Sequence, residues 1–349
     1  MKLLFVGESW QGSCARSLRE AFARQAGIAV SAIREEDFLR SGASWRARIT
    51  ARLAAPFDRW RLGREIEARV AAEHPDVLMV YKGFGVDRRW IARIQALGVK
   101  TVNVYPDNSP HAFGRRHRQA VGAYDLVFST KPFHPPNWAS TYGYGNRCLF
   151  VPHGYDQSIH LRPDPPREQI YDIGIIATWR AQYEELMVEL ANRAETGRLN
   201  VVVGGSGWFG RRHRFPRHWD FPGAVHGPDY INVLRKARIC IAPVHRVAVV
   251  NGVVQPGDSD STRTYELAAG FCFFIHRRTE FAQCLYDECA EVPMYGSAQE
   301  LAEKIVYFLP RENERRLMAA AAHARAVPAY SFDARAVKLL SAMRESGVP

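Results

Sequence analysis

The chain has 349 residues, of which 47% are hydrophobic and 24% charged. This composition is typical of a globular protein with room for two domains, and it contains no apolar run long enough to span a membrane. Its six cysteines show neither Cys-x-x-Cys nor zinc-site spacing, which predicts reduced thiols in a cytosolic protein, consistent with a bacterial source.

The positive charge is concentrated in the first part of the chain. Residues 1–150 contain 23 Lys and Arg against 13 Asp and Glu, whereas the remainder contains 24 against 23. This imbalance indicates an anionic partner for the first part, namely a nucleic acid, a membrane surface or a phosphorylated substrate.

Apolar strands alternate with helical patterns along residues 1–152. The run "KLLFVG" (2–7) is too short for a signal peptide and predicts a buried strand, and residues 13–27 predict a helix that ends at Gly27. Further strands are expected at "IAVSAI", "DVLMVYKG", "KTVNVYPD", "DLVFSTK" and "CLFVPHG". Strands that are apolar almost throughout predict a parallel sheet covered by helices on both faces.

A proline-rich segment precedes a second α/β pattern. Residues 153–170 contain three prolines and few apolar residues, which predicts a linker. Strand and helix patterns then alternate again over residues 171–330, and residues 331–349 are expected to form a C-terminal helix that packs back towards the N-terminal domain. The sequence therefore predicts an α/β protein with two Rossmann-like domains in tandem.

The stretch "GSGWFG" (205–210) has the G-x-G-x-x-G spacing of a dinucleotide-binding turn. However, Pro216 and Pro222 prevent a long helix after it, and no acidic residue ends a convincing strand about 20 positions later. We therefore expect Gly205 to lie in a turn that passes close to a phosphate or to a neighbouring backbone, followed by a solvated basic loop. An NAD(P)-dependent enzyme is the alternative.

The segment "GDSDSTRTYELAAG" (257–270) predicts a polar loop running into a helix that ends at Gly270. Ser261 or Thr262 is expected to cap the helix, and Arg263 adds a positive charge where the helix dipole favours phosphate. Glu266, one turn further, is positioned to accept two hydrogen bonds from a ribose diol. The alternative is an ordinary capped helix with a surface glutamate.

Residues 262–309 resemble the C-terminal region of the GT-B glycosyltransferases. They are most similar to the CgeB-like, spore-maturation-protein group, which is related to retaining glycosyltransferase family 4 with its E-x7-E pattern. Glu266 matches the second Glu of that pattern, which holds the ribose, whereas Asp258 replaces the first, which contacts the donor sugar. Asp260 is the alternative for this role. The resemblance extends over about residues 76–340 and is weak before them.

The resemblance implies two Rossmann-like domains that face each other across a cleft, and it assigns roles to residues elsewhere in the chain. Arg180, in "ATWRAQ", lies after the first strand of the nucleotide domain and would neutralise the diphosphate together with Arg263. Asp107, in "VYPDNSP", would hold a donor hydroxyl or accept the acceptor's proton. Asp258 would orient the donor sugar, and Gly205 would let the donor approach closely. The E-x7-E-like spacing of Asp258 and Glu266 implies a retaining reaction.

The resemblance thus implies transfer of a sugar from a nucleotide-diphosphate-sugar donor to a glycan, lipid-linked or small-molecule acceptor. No cofactor or metal is expected, because "DSD" (258–260) occurs in a two-domain chain, whereas the similar manganese motif belongs to a single-domain fold. A catalytically silent protein that binds a nucleotide or glycan is a further alternative.

The segment 45–70 combines basic and aromatic residues. It carries seven arginines with Trp45, Ile49, Leu53, Phe57 and Trp60 between them. This pattern suits peripheral contact with an anionic membrane, which would place the protein at the inner face of the membrane. The alternative is a pair of amphipathic helices with solvated arginines. Nucleic acid is not expected as a partner because no reader motif is present.

Overall fold

The computed structural model of the protein describes all residues except 41, 43, 142 and 144, and the chain forms two compact units. The first unit contains residues 1–152, 248–256 and 332–349, and the second contains residues 153–247 and 257–331. Each unit is built around a parallel sheet, which confirms the predicted α/β class with two Rossmann-like domains. None of the described helices has the length and apolarity needed to cross a membrane.

The elements are numbered in chain order. The strands are β1 Lys2–Gly7, β2 Ala29–Arg34, β3 Val77–Tyr81, β4 Lys100–Tyr105, β5 Leu126–Ser129, β6 Cys148–Phe150, β7 Tyr171–Ile176, β8 Val201–Gly204, β9 Asp220–Gly223, β10 Ala237–Ala242, β11 Val247–Val250, β12 Val253–Pro256, β13 Phe274–Arg277 and β14 Met294–Tyr295. The helices are α1 Cys14–Ala23, α2 Trp45–Glu73, α3 Arg88–Ala96, α4 Gly114–Val121, α5 His134–Thr141, α6 Ala181–Ala191, α7 Ala194–Gly197, α8 Gly227–Arg235, α9 Arg263–Ala269, α10 Glu280–Leu285, α11 Ala298–Phe308, α12 Glu312–Ala326 and α13 Phe332–Glu345.

The sheet of the first unit has the order β2-β1-β3-β4-β5-β6. Alternate residues of each strand point to opposite faces, so Leu3 and Phe5 pack with α1 and α13, whereas Leu4 and Val6 pack with α2 and α3. The C-terminal helix α13 therefore lies on the sheet of the first unit. The strand order reverses between β1 and β3, and ligands of such sheets bind outside the carboxyl ends of the strands at this point.

The sheet of the second unit has the order β14-β13-β10-β7-β8-β9, with its reversal between β7 and β10. Ile173 and Ile175 of β7 pack against α6 and α11 on one face, and Ile176 packs against α8 and α9 on the other. The loops that follow β7, β8 and β10 therefore meet at one edge of this sheet, where a ligand site of an α/β unit is expected.

The segment 153–170, predicted as a linker, begins the second unit instead of standing apart from it. Tyr155, Ile159 and His160 are buried in this unit, and Tyr155 forms a bridge with Ser331. The prolines that indicated a linker lie after this buried part, at residues 163–166. The composition of the segment did not show that its first residues are core residues.

The hairpin formed by β11 and β12 is absent from the predicted elements. Its turn is Asn251-Gly252, and both residues have a positive φ (50° and 79°). An Asn-Gly pair between two runs of valines is the strongest short-range signal for such a hairpin. The sequence "VAVVNGVVQP" (247–256) therefore contained this information.

A buried carboxyl group makes the stability of the first unit depend on pH. Burial raises the pKa of Glu35 to about 8; Glu8 and Glu36 add to the shift and Lys82 opposes it. The unfolded chain loses this proton near pH 4.5, so the folded state is destabilised as pH rises from about 4.5 to 8. We expect Glu35→Gln to raise the free energy of unfolding by roughly 2–4 kcal/mol at pH 8.5 and to change it little at pH 4.

Urea unfolding at the two pH values measures this difference, with the exposed Glu345→Gln as the control. An equal effect of Glu35→Gln at both pH values would show that the Glu35 carboxyl does not cause the pH dependence of the stability.

Candidate functional site

Glu266, in the first turn of α9, is the centre of a buried polar cluster in the second unit. Its side chain is only 9% exposed, so the alternative of a surface glutamate is wrong. The Thr262 hydroxyl donates to Glu266 Oε2 at 3.0 Å, and His160 Nε2 lies 3.6 Å from Oε1. Because the Asp156 N–H donates to His160 Nδ1 at 3.0 Å, a neutral His160 carries its proton on Nε2, towards the carboxylate.

Two further side chains surround this carboxylate. The Tyr230 hydroxyl from α8 is beside Glu266, and burial followed by the Glu266 charge raises the pKa of Tyr230 well above its ordinary range. Arg263 donates to the Pro243 carbonyl at 3.1 Å, and its buried Nε has no hydrogen-bond partner among the described residues. The arrangement combines a fixed carboxylate, which accepts hydrogen bonds from hydroxyl groups, with a nearby guanidinium, which neutralises negative charge.

Buried hydrogen bonds fix the loop before α9. Asp260 is fully buried and accepts the Tyr265 hydroxyl at 2.5 Å. Thr264 Oγ1 accepts the Ser261 N–H at 3.0 Å and donates to His276 Nε2 at 2.8 Å. Asp260 therefore has a structural role, and Asp258 is the carboxylate of the "DSD" sequence that remains partly accessible.

The prediction that a hydroxyl caps α9 is wrong. Thr262 occupies the N-cap position with helical backbone angles, and its hydroxyl turns to Glu266. The Ser261 hydroxyl is buried without a hydrogen-bond partner among the described residues. The N–H groups of Thr264, Tyr265 and Glu266 already donate to carbonyls of residues 261 and 262. Of the predicted phosphate-binding site at this helix terminus, only the first backbone N–H groups and the Arg263 side chain are left as donors.

Asp258 lies near a cavity at the carboxyl ends of β10 and β13. Its Oδ2 is 3.4 Å from His245 Nδ1, and the His245 ring is 5.3 Å from the Tyr183 ring. The cavity has a volume of about 300 Å³, and Tyr183, Arg277 and Tyr295 line it. Within the described residues, no three His, Cys, Asp or Glu side chains are grouped so that they could hold a metal ion.

A larger cavity of about 480 Å³ lies elsewhere in the second unit. Arg238 and Phe273 line it, at the amino ends of β10 and β13, and it contains none of the predicted site residues. Its size alone does not make it the ligand site, because loops at the carboxyl ends of the strands build such sites in α/β units.

Arg180 and Gly205 follow β7 and β8, the two strands next to each other at this edge. Arg180 is exposed and occupies the N-cap position of α6. Gly205 has φ +118°, and a Cβ there would lie 2.1 Å from the Ala177 carbonyl oxygen. Its N–H donates to the Gly223 carbonyl at 2.6 Å. The close approach that this glycine permits is therefore to a neighbouring backbone, and its contact with a donor stays a prediction.

The basic loop after Gly210 is largely exposed, as predicted, and two of its arginines anchor it to the second unit. Arg214 NH1 lies 2.6 Å and Arg211 Nε 3.3 Å from the buried Glu184 carboxylate, and the Arg211 guanidinium stacks 3.6 Å from the Trp179 ring centroid. Residues 209–214 form a short 3₁₀ turn. A dinucleotide-binding turn requires an α-helix at this position, so the fingerprint is incomplete in the structure as it is in the sequence.

We expect Gly205→Ala to destabilise the second unit by about 2–4 kcal/mol, because it adds both a strained φ and a clash with the Ala177 carbonyl. Thermal unfolding of two control variants separates these causes. Gly223 also has a positive φ (+82°) but no atom within 4 Å of a new Cβ, and Gly210 has neither problem. Equal losses in Gly205→Ala and Gly223→Ala would show that the close approach is unimportant.

In the first unit, Asp107 follows the carboxyl end of β4. Burial raises the pKa of Tyr81, at the end of β3, and the neighbouring Cys14 and Asp107 add to this shift. The loop is fixed by Asn108. Its side-chain amide donates to the Pro256 carbonyl at 2.8 Å, and its backbone carbonyl lies 2.7 Å from His134 Nε2. Asp107 is thus presented by an ordered loop at the sheet edge where ligand sites are expected.

Several residues of these clusters were not predicted from the sequence. His245 lies three residues after the end of β10, so the rule that sites lie at carboxyl ends of strands would have identified it. His160 and Tyr230 reach Glu266 from sequence positions 106 and 36 residues away. No local pattern indicates such contacts, because they exist only in the folded unit.

Sequence and structure comparisons relate the chain to known proteins. Residues 180–341 match the family model described as glycosyl transferase-like, which covers just under half of the chain. No curated protein matches the sequence.

Three solved structures illustrate the similarity of the fold. Sucrose-phosphate synthase from Thermosynechococcus elongatus superposes with a TM-score of 0.70 at 14% identity, over 99% of this chain and 98% of the other. HepE from Anabaena in complex with UDP and glucose gives 0.64 at 13%, over 99% and 100%. A Listeria monocytogenes protein assigned as a UDP-N-acetylglucosamine 2-epimerase gives 0.59 at 12%, over 99% and 96%.

Identities this low establish a shared fold and leave the reaction open. The chain has the two-domain α/β fold of the GT-B glycosyltransferases, and its C-terminal half is similar in sequence to a glycosyl transferase-like family.

Proposed function

We propose that the protein transfers a sugar from a nucleotide-diphosphate-sugar donor to a glycan, lipid-linked or small-molecule acceptor. The observation that carries this proposal is the buried Glu266 carboxylate, held by Thr262 and His160 at the ligand-binding edge of the second unit. The glycosyl transferase-like match over residues 180–341 and the UDP bound in the similar HepE structure support it.

In this proposal Glu266 accepts hydrogen bonds from the two ribose hydroxyls of the donor. Arg263, with its free Nε, and the exposed Arg180 neutralise the diphosphate as the bond to the sugar breaks. The backbone around Ser261 and Gly205 completes the donor site. Asp258, kept near His245, orients the sugar.

We also propose that Asp107 of the first unit holds a donor hydroxyl or accepts the proton of the attacking acceptor hydroxyl. Its place in an ordered loop after β4 supports this role. We further propose a retaining, metal-independent reaction in a bacterial cytoplasm, on the likeness to the CgeB-like group and to retaining family 4. Arg263 and Arg180 would then carry the charge that a metal ion carries in other enzymes.

A thermal-shift panel with UDP, GDP, ADP, dTDP, CMP, NAD and NADP tests the donor site. A ligand at 100 times its Kd stabilises the folded state by about 2.7 kcal/mol, which raises the unfolding midpoint by a few degrees. We expect one nucleoside diphosphate to produce this shift. A shift with NAD or NADP alone would favour the nicotinamide-dependent alternative.

A further inference from the structure

Helix α2 carries an exposed row of large apolar side chains along its first half. Trp45, Ile49, Leu53, Phe57 and Trp60 are each between 46% and 77% exposed. Their spacing of four, four, four and three residues places them on one face of the helix, over about 22 Å. We call these five residues the apolar stripe.

The apolar stripe is not needed to attach the helix to its unit. The second half of α2 does this through Leu62, Ile66 and Val70, which are buried against the sheet. Pro56 lies within the helix, and the chain nevertheless forms one helix from Trp45 to Glu73, where the sequence allowed two. A surface helix normally turns its apolar residues towards the core, so an apolar face that points to solvent indicates a surface for a partner.

The charges beside the stripe are all positive. Arg46, Arg48, Arg52 and Arg59 lie along the same half of the helix, and its sole carboxylate, Asp58, is buried and paired with Arg40. A helix with tryptophans and aliphatic residues on one face, and arginines beside them, matches the interface of a bilayer with anionic lipids. The apolar residues enter the boundary of the acyl chains, and the arginines bind the phosphates of the headgroups.

We propose that residues 45–60 of α2 dock on the surface of a bilayer that contains anionic lipids. A nucleic acid fits the stripe less well, because Ile49 and Leu53 neither stack on bases nor bind phosphate. A second copy of the chain also fits poorly, since a two-fold pairing of this face would bring two sets of arginines together. The proposal does not depend on the reaction in the second unit.

Co-sedimentation of the full-length protein with vesicles tests this surface. We expect binding to vesicles of phosphatidylcholine with 30% phosphatidylglycerol, and at least tenfold weaker binding to phosphatidylcholine alone. Leu53→Glu should weaken binding to the anionic vesicles tenfold or more. The joint change of Arg48→Gln and Arg52→Gln should weaken it several-fold and reduce its sensitivity to salt.

Leu317→Glu is the matched control, because Leu317 is 73% exposed on α12 of the other unit. It should bind vesicles like the unchanged protein, and all variants should keep the unfolding temperature of the parent. Equal binding by Leu53→Glu and Leu317→Glu, or no binding of the parent to anionic vesicles, would overturn the proposal. A parent dimer that Leu53→Glu dissociates, without vesicle binding, would instead identify the stripe as a contact between copies.

Discussion

Replacing Glu266 with glutamine is expected to weaken binding of the preferred nucleoside diphosphate by about tenfold to a hundredfold. A hydroxyl group that donates to a carboxylate contributes about 1.5–3 kcal/mol, and the neutral amide loses the charge that strengthens this bond. Glutamine keeps the volume of the side chain next to Thr262 and His160, so the unit should remain folded. Isothermal titration calorimetry measures the affinity directly.

The ribose itself provides a sharper version of this experiment. The unchanged protein should discriminate strongly between the nucleotide and its 2′-deoxy analogue, and Glu266→Gln should bind the two almost equally. Glu303→Gln, at an exposed position of α11, is the matched control and should bind like the parent. If Glu266→Gln still discriminated as strongly as the parent, Glu266 would not contact the ribose.

Replacing Asp107 with asparagine is expected to lower kcat at least a hundredfold while nucleotide affinity stays unchanged. A positioned carboxylate that accepts a proton contributes typically 10²- to 10⁴-fold to a rate, and asparagine cannot accept one at that position. Release of the nucleoside diphosphate from the donor measures kcat, and calorimetry measures the affinity. The separation of the two effects distinguishes Asp107 from the donor-binding residues.

Asp87→Asn is the control for this change, because Asp87 belongs to the same unit, occupies the N-cap position of α3 and makes no capping hydrogen bond with its side chain. It should show the activity of the parent. Full activity of Asp107→Asn would remove Asp107 from the reaction. A parallel loss of affinity would make it a binding residue.

Most of the fold follows from local patterns in the sequence. The strands of both sheets are nearly continuous apolar runs because helices cover both faces, and such runs are easily recognised. The run at residues 2–7 is strand β1 at the predicted bounds. The hairpin at Asn251-Gly252 was not predicted, because it forms a two-stranded sheet of its own that interrupts the alternation of helices and strands. The buried start of residues 153–170 escaped because its prolines dominate its composition.

The candidate site follows from the sequence only in part. Asp258 and Glu266 are close in the sequence, and Arg180 and Gly205 follow strands of the same sheet. The sequence therefore places the predicted donor-binding residues in one unit. The hydrogen bonds of Ser261 and Thr262 were not predictable, because the Thr262 hydroxyl donates to the Glu266 carboxylate and the N–H groups of the first turn of α9 donate to backbone carbonyls. His160 and Tyr230 contact Glu266 only through tertiary packing, which no single segment encodes.

Proton NMR of the protein mixed with a panel of nucleotide sugars and a cell extract as the source of acceptor tests sugar transfer most directly. We expect the anomeric signal of one donor to disappear and the free nucleoside diphosphate to appear, and Glu266→Gln to slow both changes strongly. Conversion of a nucleotide sugar to an epimer that keeps its diphosphate bond, the outcome suited to a 2-epimerase of this fold, would contradict the proposed transfer.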